Sequence, residues 1–162
     1  MQLKESINIY SLSELLNFSD KLFLQEGSLY YMYKNYNCSI FLNYTPYISF
    51  SDINYKRNLM CSSDNVDIYL ICWKKGQRSK IHDHPEKGCI VYVLDGELIE
   101  KIYHKYEHHK YASYNDSKIL TKNDSTYNFG SNVLHQITAT CDTISLHIYQ
   151  KGYLPKCYDE IN

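Results

Sequence analysis

The chain has 162 residues, 17 basic and 18 acidic side chains and a net charge of −1. That balance gives no field to draw it onto nucleic acid or an anionic membrane, and a small polar substrate suits it better. The N-terminus, MQLKESINIYSLSELLNF, has no basic segment leading into an apolar core, and no apolar run approaches membrane-spanning length, so a soluble, cytoplasmic protein is expected.

One domain over residues 1–162 is expected: a helical N-terminal part over 1–45, a barrel over 46–150 and a C-terminal tail over 151–162. The clearest helix is SLSELLNFSDKLFLQ, with Ser11 as N-cap, Glu14 completing a capping box, and Leu12, Leu15, Leu16 and Phe23 as the apolar face. SLYYMYKNY fits a second short helix or a strand. From about residue 47 the pattern has period two through YISF, INYKRNLM, VDIYLICWK, SKIHDH, CIVYVL, ELIEKIYH, SKILT, STYNF, NVLHQIT and TISLHIYQ. Short strands parted by SSDN, KKG, PEKG and DG predict a mainly β sandwich or barrel with helices at its N-terminal end. VLDGELIE is read as a hairpin turning at Asp95-Gly96. HKYEHHKYASYND is polar and aperiodic, which predicts an exposed connection in which His104, His108 and His109 are solvated. The six cysteines form no CxxC pair, so no thiolate zinc site or disulfide framework is implied, and most are expected to be buried as small hydrophobes. With no apolar stripe to suggest a partner, the expected state is a monomer.

Alternation along SKIHDH puts His82 and His84 on one strand face, able to reach one point, which is half of a metal site. The surroundings run Gly76, five residues, His82-x-His84, four residues, Cys89, six residues, Gly96. This resembles the first motif of the cupins, with Cys89 in the place of the usual glutamate ligand. In NVLHQIT, His135 lies between apolar neighbours, where a core histidine is the ordinary reading; in a cupin barrel a third histidine ligand belongs on such a later strand. In SLHIYQ, Ser145, His147 and Tyr149 share one strand face, opposite Leu146 and Ile148. Such a row suits either a solvated sheet surface or a polar interior. Tyr55 and Arg57 also share a face, and guanidinium is a planar bidentate donor suited to a carboxylate.

Taken in order, YKRNL, LICWKKG, IHDHPEKGCIVYVLDGELIE, VLHQIT and SLHIY resemble the mammalian-type cysteine dioxygenases, a family of cupin-barrel thiol dioxygenases. The resemblance spans residues 53 to 149. It implies a small, jelly-roll-like cupin β-barrel with one or two N-terminal helices, and Fe(II) held by His82, His84 and His135. It further implies that Arg57 and Tyr55 hold the substrate carboxylate and that Cys89 and Tyr149 occupy the positions of a thioether crosslink. Ser145 and His147 then form the row behind Tyr149, and Trp73 falls on a matching, structural tryptophan. The implied reaction converts L-cysteine and O2 to cysteine sulfinate, a step of cysteine catabolism. Dioxygenation of 3-mercaptopropionate or cysteamine, or a catalytically silent metal-binding cupin, are the alternatives; a buried Arg57 would count against cysteamine, which has no carboxylate. Where the family continues after its tyrosine with Ser-Pro-Pro, this chain has Gln150-Lys151-Gly152, so a trans turn is expected there. Because the chain ends at Asn162, residues that cover the pocket in longer relatives are expected to be absent.

Overall fold

The computed structural model describes residues 2–106 and 110–161. His108 and His109 lie outside them. Strand β1 (Glu5–Ile9), helix α1 (Leu12–Glu26), helix α2 (Tyr30–Asn35) and strand β2 (Tyr36–Ile40) come first. Helix α1 is the predicted helix and α2 makes SLYYMYKNY the second short helix, while β1 and β2 add a parallel two-stranded ribbon that the sequence pattern did not reveal. Ser11 has extended backbone and its hydroxyl accepts from Glu14 N–H, while Glu14 accepts from Tyr10 N–H, so the capping box closes one residue early. Gly27, with φ of 71°, ends the helix by donating to the Phe23 carbonyl.

Ten further strands follow among the described residues. They are β3 (Lys56–Ser62), β4 (Val66–Trp73), β5 (Ile81–His82), β6 (Cys89–Asp95), β7 (Glu97–Lys105), β8 (Tyr111–Thr121), β9 (Ser125–Asn128), β10 (Val133–Ala139), β11 (Thr143–Gln150) and β12 (Cys157–Glu160). One sheet has the order β3-β4-β11-β6-β9, and the pairings β10-β5-β12-β8-β7 close on themselves. The predicted YISF strand is instead a 3₁₀ turn over Thr45–Tyr47 followed by extended chain, with Pro46 opening the turn. The polar stretch before SKILT belongs to β8 from Tyr111 onward, paired residue by residue with β7. Its polarity reflects a solvent-facing strand rather than a loop. Residues 151–162, expected as a tail, contribute β12, which runs antiparallel to β5 and parallel to β8.

Asp95-Gly96 does not turn a hairpin. Strand β6 pairs with β11 and β9, whereas β7 pairs with β10 and β8, so the dipeptide carries the chain from one sheet to the other. Gly96 has φ of 89°, and a Cβ there would stand 2.4 Å from Thr143 Oγ1 and 2.7 Å from the Asp142 carbonyl.

The first sheet is buried on both faces. Ile68, Leu70, Ile90, Tyr92, Leu146 and Ile148 form one face and pack with Leu15, Leu22 and Met32 of the helices. The other face turns Ile71, Trp73 and Val93 toward Leu98, Leu120 and Ile137 of the second sheet. Each fully buried aliphatic side chain contributes about 2 kcal/mol. Of the cysteines only Cys72 and Cys89 are buried, while Cys141 and Cys157 are exposed, contrary to the expectation for most of them. Cys141 lies between β10 and β11, and Cys157 opens β12.

The glycine at the sheet crossing yields a test. Gly152, at φ of 74° with open space around it, is the comparison. Replacing Gly152 by Ala is expected to cost about 1 kcal/mol through backbone strain alone. Gly96→Ala, which also drives a methyl group into the Asp142 and Thr143 backbone, is expected to cost at least about 2 kcal/mol. Urea unfolding of both variants measures the difference.

Candidate metal centre

His82 sits on β5 and His135 on β10, directly paired across the two strands. His84 is not on a strand with His82, because β5 is only two residues long. After it, Asp83 N–H bonds the Lys156 carbonyl and His84 N–H bonds the Gly130 carbonyl, so tertiary contacts rather than strand alternation aim His84. The three rings nonetheless converge, with centroids 5.3, 4.6 and 4.2 Å apart. One ligand nitrogen from each lies within 4.8 Å of the others.

The hydrogen bonds decide which nitrogens face this point. His82 Nδ1 donates to the Lys80 carbonyl at 2.7 Å, and His135 Nδ1 donates to Glu100 at 2.7 Å. Both Nε2 atoms therefore carry lone pairs, 3.1 Å apart. Two lone pairs so close repel unless a cation shares them. Neither ring nitrogen of buried His84 has a hydrogen-bond partner, which is the mark of a buried polar group awaiting a ligand. The donor set fits a divalent metal on neutral imidazoles. Burial first, then the neighbouring His135, holds His82 down to about 3, and burial pushes His84 well below the usual imidazole range.

Glu100, on β7 at a position the sequence reading passed over, is fully buried. Burial alone would raise its carboxyl, but the hydrogen bond from His135, then Lys118 and Asn128, hold it at about 2. Its sequence signal was present: Glu100 has the same parity as buried Leu98.

Cys89 on β6 is the cross-strand partner of Tyr149 on β11. Burial raises both the thiol and the phenol, and each also responds to the other across a hydrogen bond. Behind Tyr149 runs a chain of bonds. Trp73 Nε1 donates to Ser145 Oγ at 3.0 Å, Ser145 Oγ meets His147 Nε2 at 2.7 Å, and His147 Nδ1 meets Tyr149 Oη at 3.0 Å. Indole only donates, which leaves the Ser145 hydroxyl proton able to donate to His147 Nε2; in that tautomer Nδ1–H donates to the tyrosine oxygen. The Tyr149 proton is then free to point away from His147. Ser145 and His147 are buried, so the row faces the interior rather than solvent.

A cavity of about 200 Å³ brings these groups together: His82, His84 and His135 line it with Cys89, Tyr149 and Arg57. Tyr55 lines it too, stacked on Trp73 with centroids 4.4 Å apart. The Arg57 guanidinium lies over Tyr69 and Tyr149, at 4.5 and 5.2 Å from the ring centroids. Arg57 is exposed rather than buried, because it stands at the open side of the cavity. Arg78 and Lys80 line the same space. Tyr153, Pro155 and Cys157 close one side, so the chain after β11 does cover the pocket. Tyr153 donates to buried Asp83, which also accepts from Lys156 N–H. Among the described residues no peptide bond is cis, in keeping with the Gln150-Lys151-Gly152 turn. His104, in β7, is exposed and apart from this centre.

Set beside known proteins, the sequence matches the profile of the family Cysteine dioxygenase type I over residues 17–160. The chain belongs to the cysteine dioxygenase type I family. Cysteine dioxygenase type 1 of Bos taurus is 31% identical over 112 residues, which cover 66% of this chain and 56% of the relative. The Homo sapiens protein of the same name is 30% identical over 112 residues, with the same coverage. The matched span is thus a little over half the length of these relatives. The fold is also that of a Klebsiella pneumoniae protein with a double-stranded β-helix domain, with a TM-score of 0.57 and 12% identity over 72% of this chain and 89% of that one. A cupin-2 domain protein from Shewanella frigidimarina aligns with a TM-score of 0.51 and 12% identity over 67% of this chain and 93% of that one. The expected cupin β-barrel is the observed fold.

Two outcomes test this cysteine dioxygenase family site. His84→Ala removes one of three donors and is expected to weaken divalent-metal binding at least about tenfold, read by chelator competition. The second concerns pH. His82 has its folded value depressed from 6.5 to about 3, so the unfolded chain takes up a proton that the folded one refuses. Stability of the metal-free protein is then full above about pH 6.5 and is lost as pH falls toward about 3. Urea midpoints at pH 7.5 and 4.5 should show the loss, and His82→Asn should reduce it.

Proposed function

We propose that the protein is an Fe(II)-dependent thiol dioxygenase that converts L-cysteine and O2 to cysteine sulfinate. The observation that carries this reading is one cavity holding three metal-facing histidines, the Arg57 guanidinium and the Tyr149 hydroxyl. The membership of the chain in the cysteine dioxygenase type I family supports it.

His82, His84 and His135 would hold Fe(II), which would supply the positions at which thiol and O2 meet. Arg57 binds the substrate carboxylate by a charge-assisted pair, aided by Tyr55, and so fixes the sulfur at the floor of the cavity. Tyr149 orients its free proton toward the reacting groups, with its oxygen held by His147, which is held in turn by Ser145 and Trp73. Both oxygen atoms go to sulfur. The thiol sulfur gives up the four electrons that O2 takes, so no external reductant enters. A thioether between Cys89 and Tyr149, which face each other across β6 and β11, would lock the phenol ring in place. We place the protein in the cytoplasm as a monomer.

A second reading keeps the metal and changes the thiol to 3-mercaptopropionate. The cavity supports it because Arg57, Arg78 and Lys80 all line it, and a cationic mouth favours a net anion. Exposure of Arg57 removes the cost of leaving its charge unpaired, so that cost no longer disfavours cysteamine. The cationic lining does disfavour it, because cysteamine is a cation.

Oxygen uptake by the anaerobically iron-loaded protein on adding L-cysteine, with sulfinate measured by mass spectrometry, is expected to give a ratio of one to one. Arg57→Ala is expected to raise KM for L-cysteine by about tenfold or more, the worth of a charge-assisted hydrogen bond. Faster turnover of 3-mercaptopropionate would establish the second reading. Iron and cysteine binding without oxygen uptake would make the protein a silent cupin.

A further inference from the structure

We infer that Glu100 is a positioning residue that passes its buried negative charge to the metal centre through His135, in place of the carboxylate ligand whose position Cys89 occupies. The inference rests on the reading of His82, His84 and His135 as a metal centre.

The carboxylate is built into the fold as an anion. Oε1 accepts from His135 Nδ1 at 2.7 Å and from Asn128 Nδ2 at 2.9 Å. Oε2 accepts from Thr126 Oγ1 at 3.1 Å and forms an ion pair with Lys118 Nζ at 3.2 Å, the ammonium donating its hydrogen bond to Thr126 Oγ1 at 2.8 Å. Three donors, all on residues no more than 9% exposed, and one ammonium thus surround the carboxylate. Thr126 and Asn128 belong to β9 of the first sheet, while His135 and Lys118 flank β7 on β10 and β8 of the second. Partners on three strands thus fix one carboxylate, and a carboxamide would turn an NH2 group toward donors.

The path to the metal is one imidazole long. Glu100 draws the Nδ1 proton of His135 toward itself, which makes the opposite Nε2 more basic at the point shared with His82. Lys118 is the direct cross-strand partner of Glu100. It opposes this charge, yet its side chain is 48% exposed against 0% for Glu100. Solvent screens the ammonium more than the carboxylate, so the balance delivered to His135 is negative. Removing the two charges should therefore move the metal in opposite directions, which a purely structural clamp between the sheets would not do.

The test compares the parent with Glu100→Gln and Lys118→Gln, without thiol or O2. Fe(II) affinity is read by anaerobic chelator competition and the Fe(III)/Fe(II) midpoint by spectroelectrochemistry. Glu100→Gln is expected to weaken Fe(II) binding by about ten- to a hundredfold. It should also shift the iron equilibrium toward Fe(II) by about tenfold, a rise of about 59 mV. Lys118→Gln is expected to lower the midpoint by a smaller amount and to bind Fe(II) no more weakly than the parent. The inference is overturned if Glu100→Gln matches the parent within twofold in affinity and within threefold in the iron equilibrium, or if both variants move the midpoint the same way. Should Glu100→Gln fail to fold, the sign of the Lys118→Gln shift decides alone, since that side chain lies at the exposed rim. A parent that binds no iron sinks the metal reading and this inference together. Iron binding without sulfinate formation sinks only the proposed reaction and leaves this test intact.

Discussion

Strand alternation in a sheet buried on both faces is the constraint from which the rest of the molecule follows. In β11 the even positions, Leu146 and Ile148, pack against the N-terminal helices, while the odd positions, Ser145, His147 and Tyr149, turn into the barrel. In β4 and β6 the same rule separates Leu70 and Ile90 from Trp73 and Cys89. A strand cannot shift by one residue without exchanging core and chemistry, so the packing of α1 and α2 holds the polar row in register. The helices touch no substrate, yet the cavity depends on them.

The second constraint is electrostatic. A cavity walled by apolar strands favours neutral groups, and burial keeps His82, His84 and His147 uncharged and fit to donate or accept. The Glu100 carboxylate is held in this interior by three donors and an ammonium. The cationic groups stand at the open side instead, where Arg57, Arg78 and Lys80 meet water. Charge is thus sorted by depth: a held carboxylate behind the ligands, neutral rings at the metal point, and guanidinium at the entrance.

Legibility followed from how local each cause was. Helix α1 was readable because Ser11 and Glu14 set its start and its apolar face repeats within a few residues. The strands with clean period two, β4, β6, β10 and β11, were readable for the same reason. Strands β1, β2 and β12 were not, since each is short and exists through partners far along the chain. The DG dipeptide misled because its backbone need is real, but whether the next strand pairs with the previous one is settled by the whole barrel. His82, His84 and His135 were found by spacing and resemblance, and Cys89 and Tyr149 by resemblance. Glu100 was missed because one glutamate in a strand resembles any surface glutamate until its neighbours are in place.

The short strand β5 has a consequence for how the centre comes into being. It is only Ile81 and His82, held between β10 on one side and β12 on the other, with His82 opposite both His135 and Cys157. A growing polypeptide that has emerged as far as residue 135 already owns all three imidazoles, but it lacks the strand that fences β5 from its far side. Without Cys157 and Tyr158, β5 would keep β10 as its one neighbour and stand at an open edge. Closing the barrel at β12 thus completes the frame of a metal-facing histidine from a segment 75 residues further along the chain.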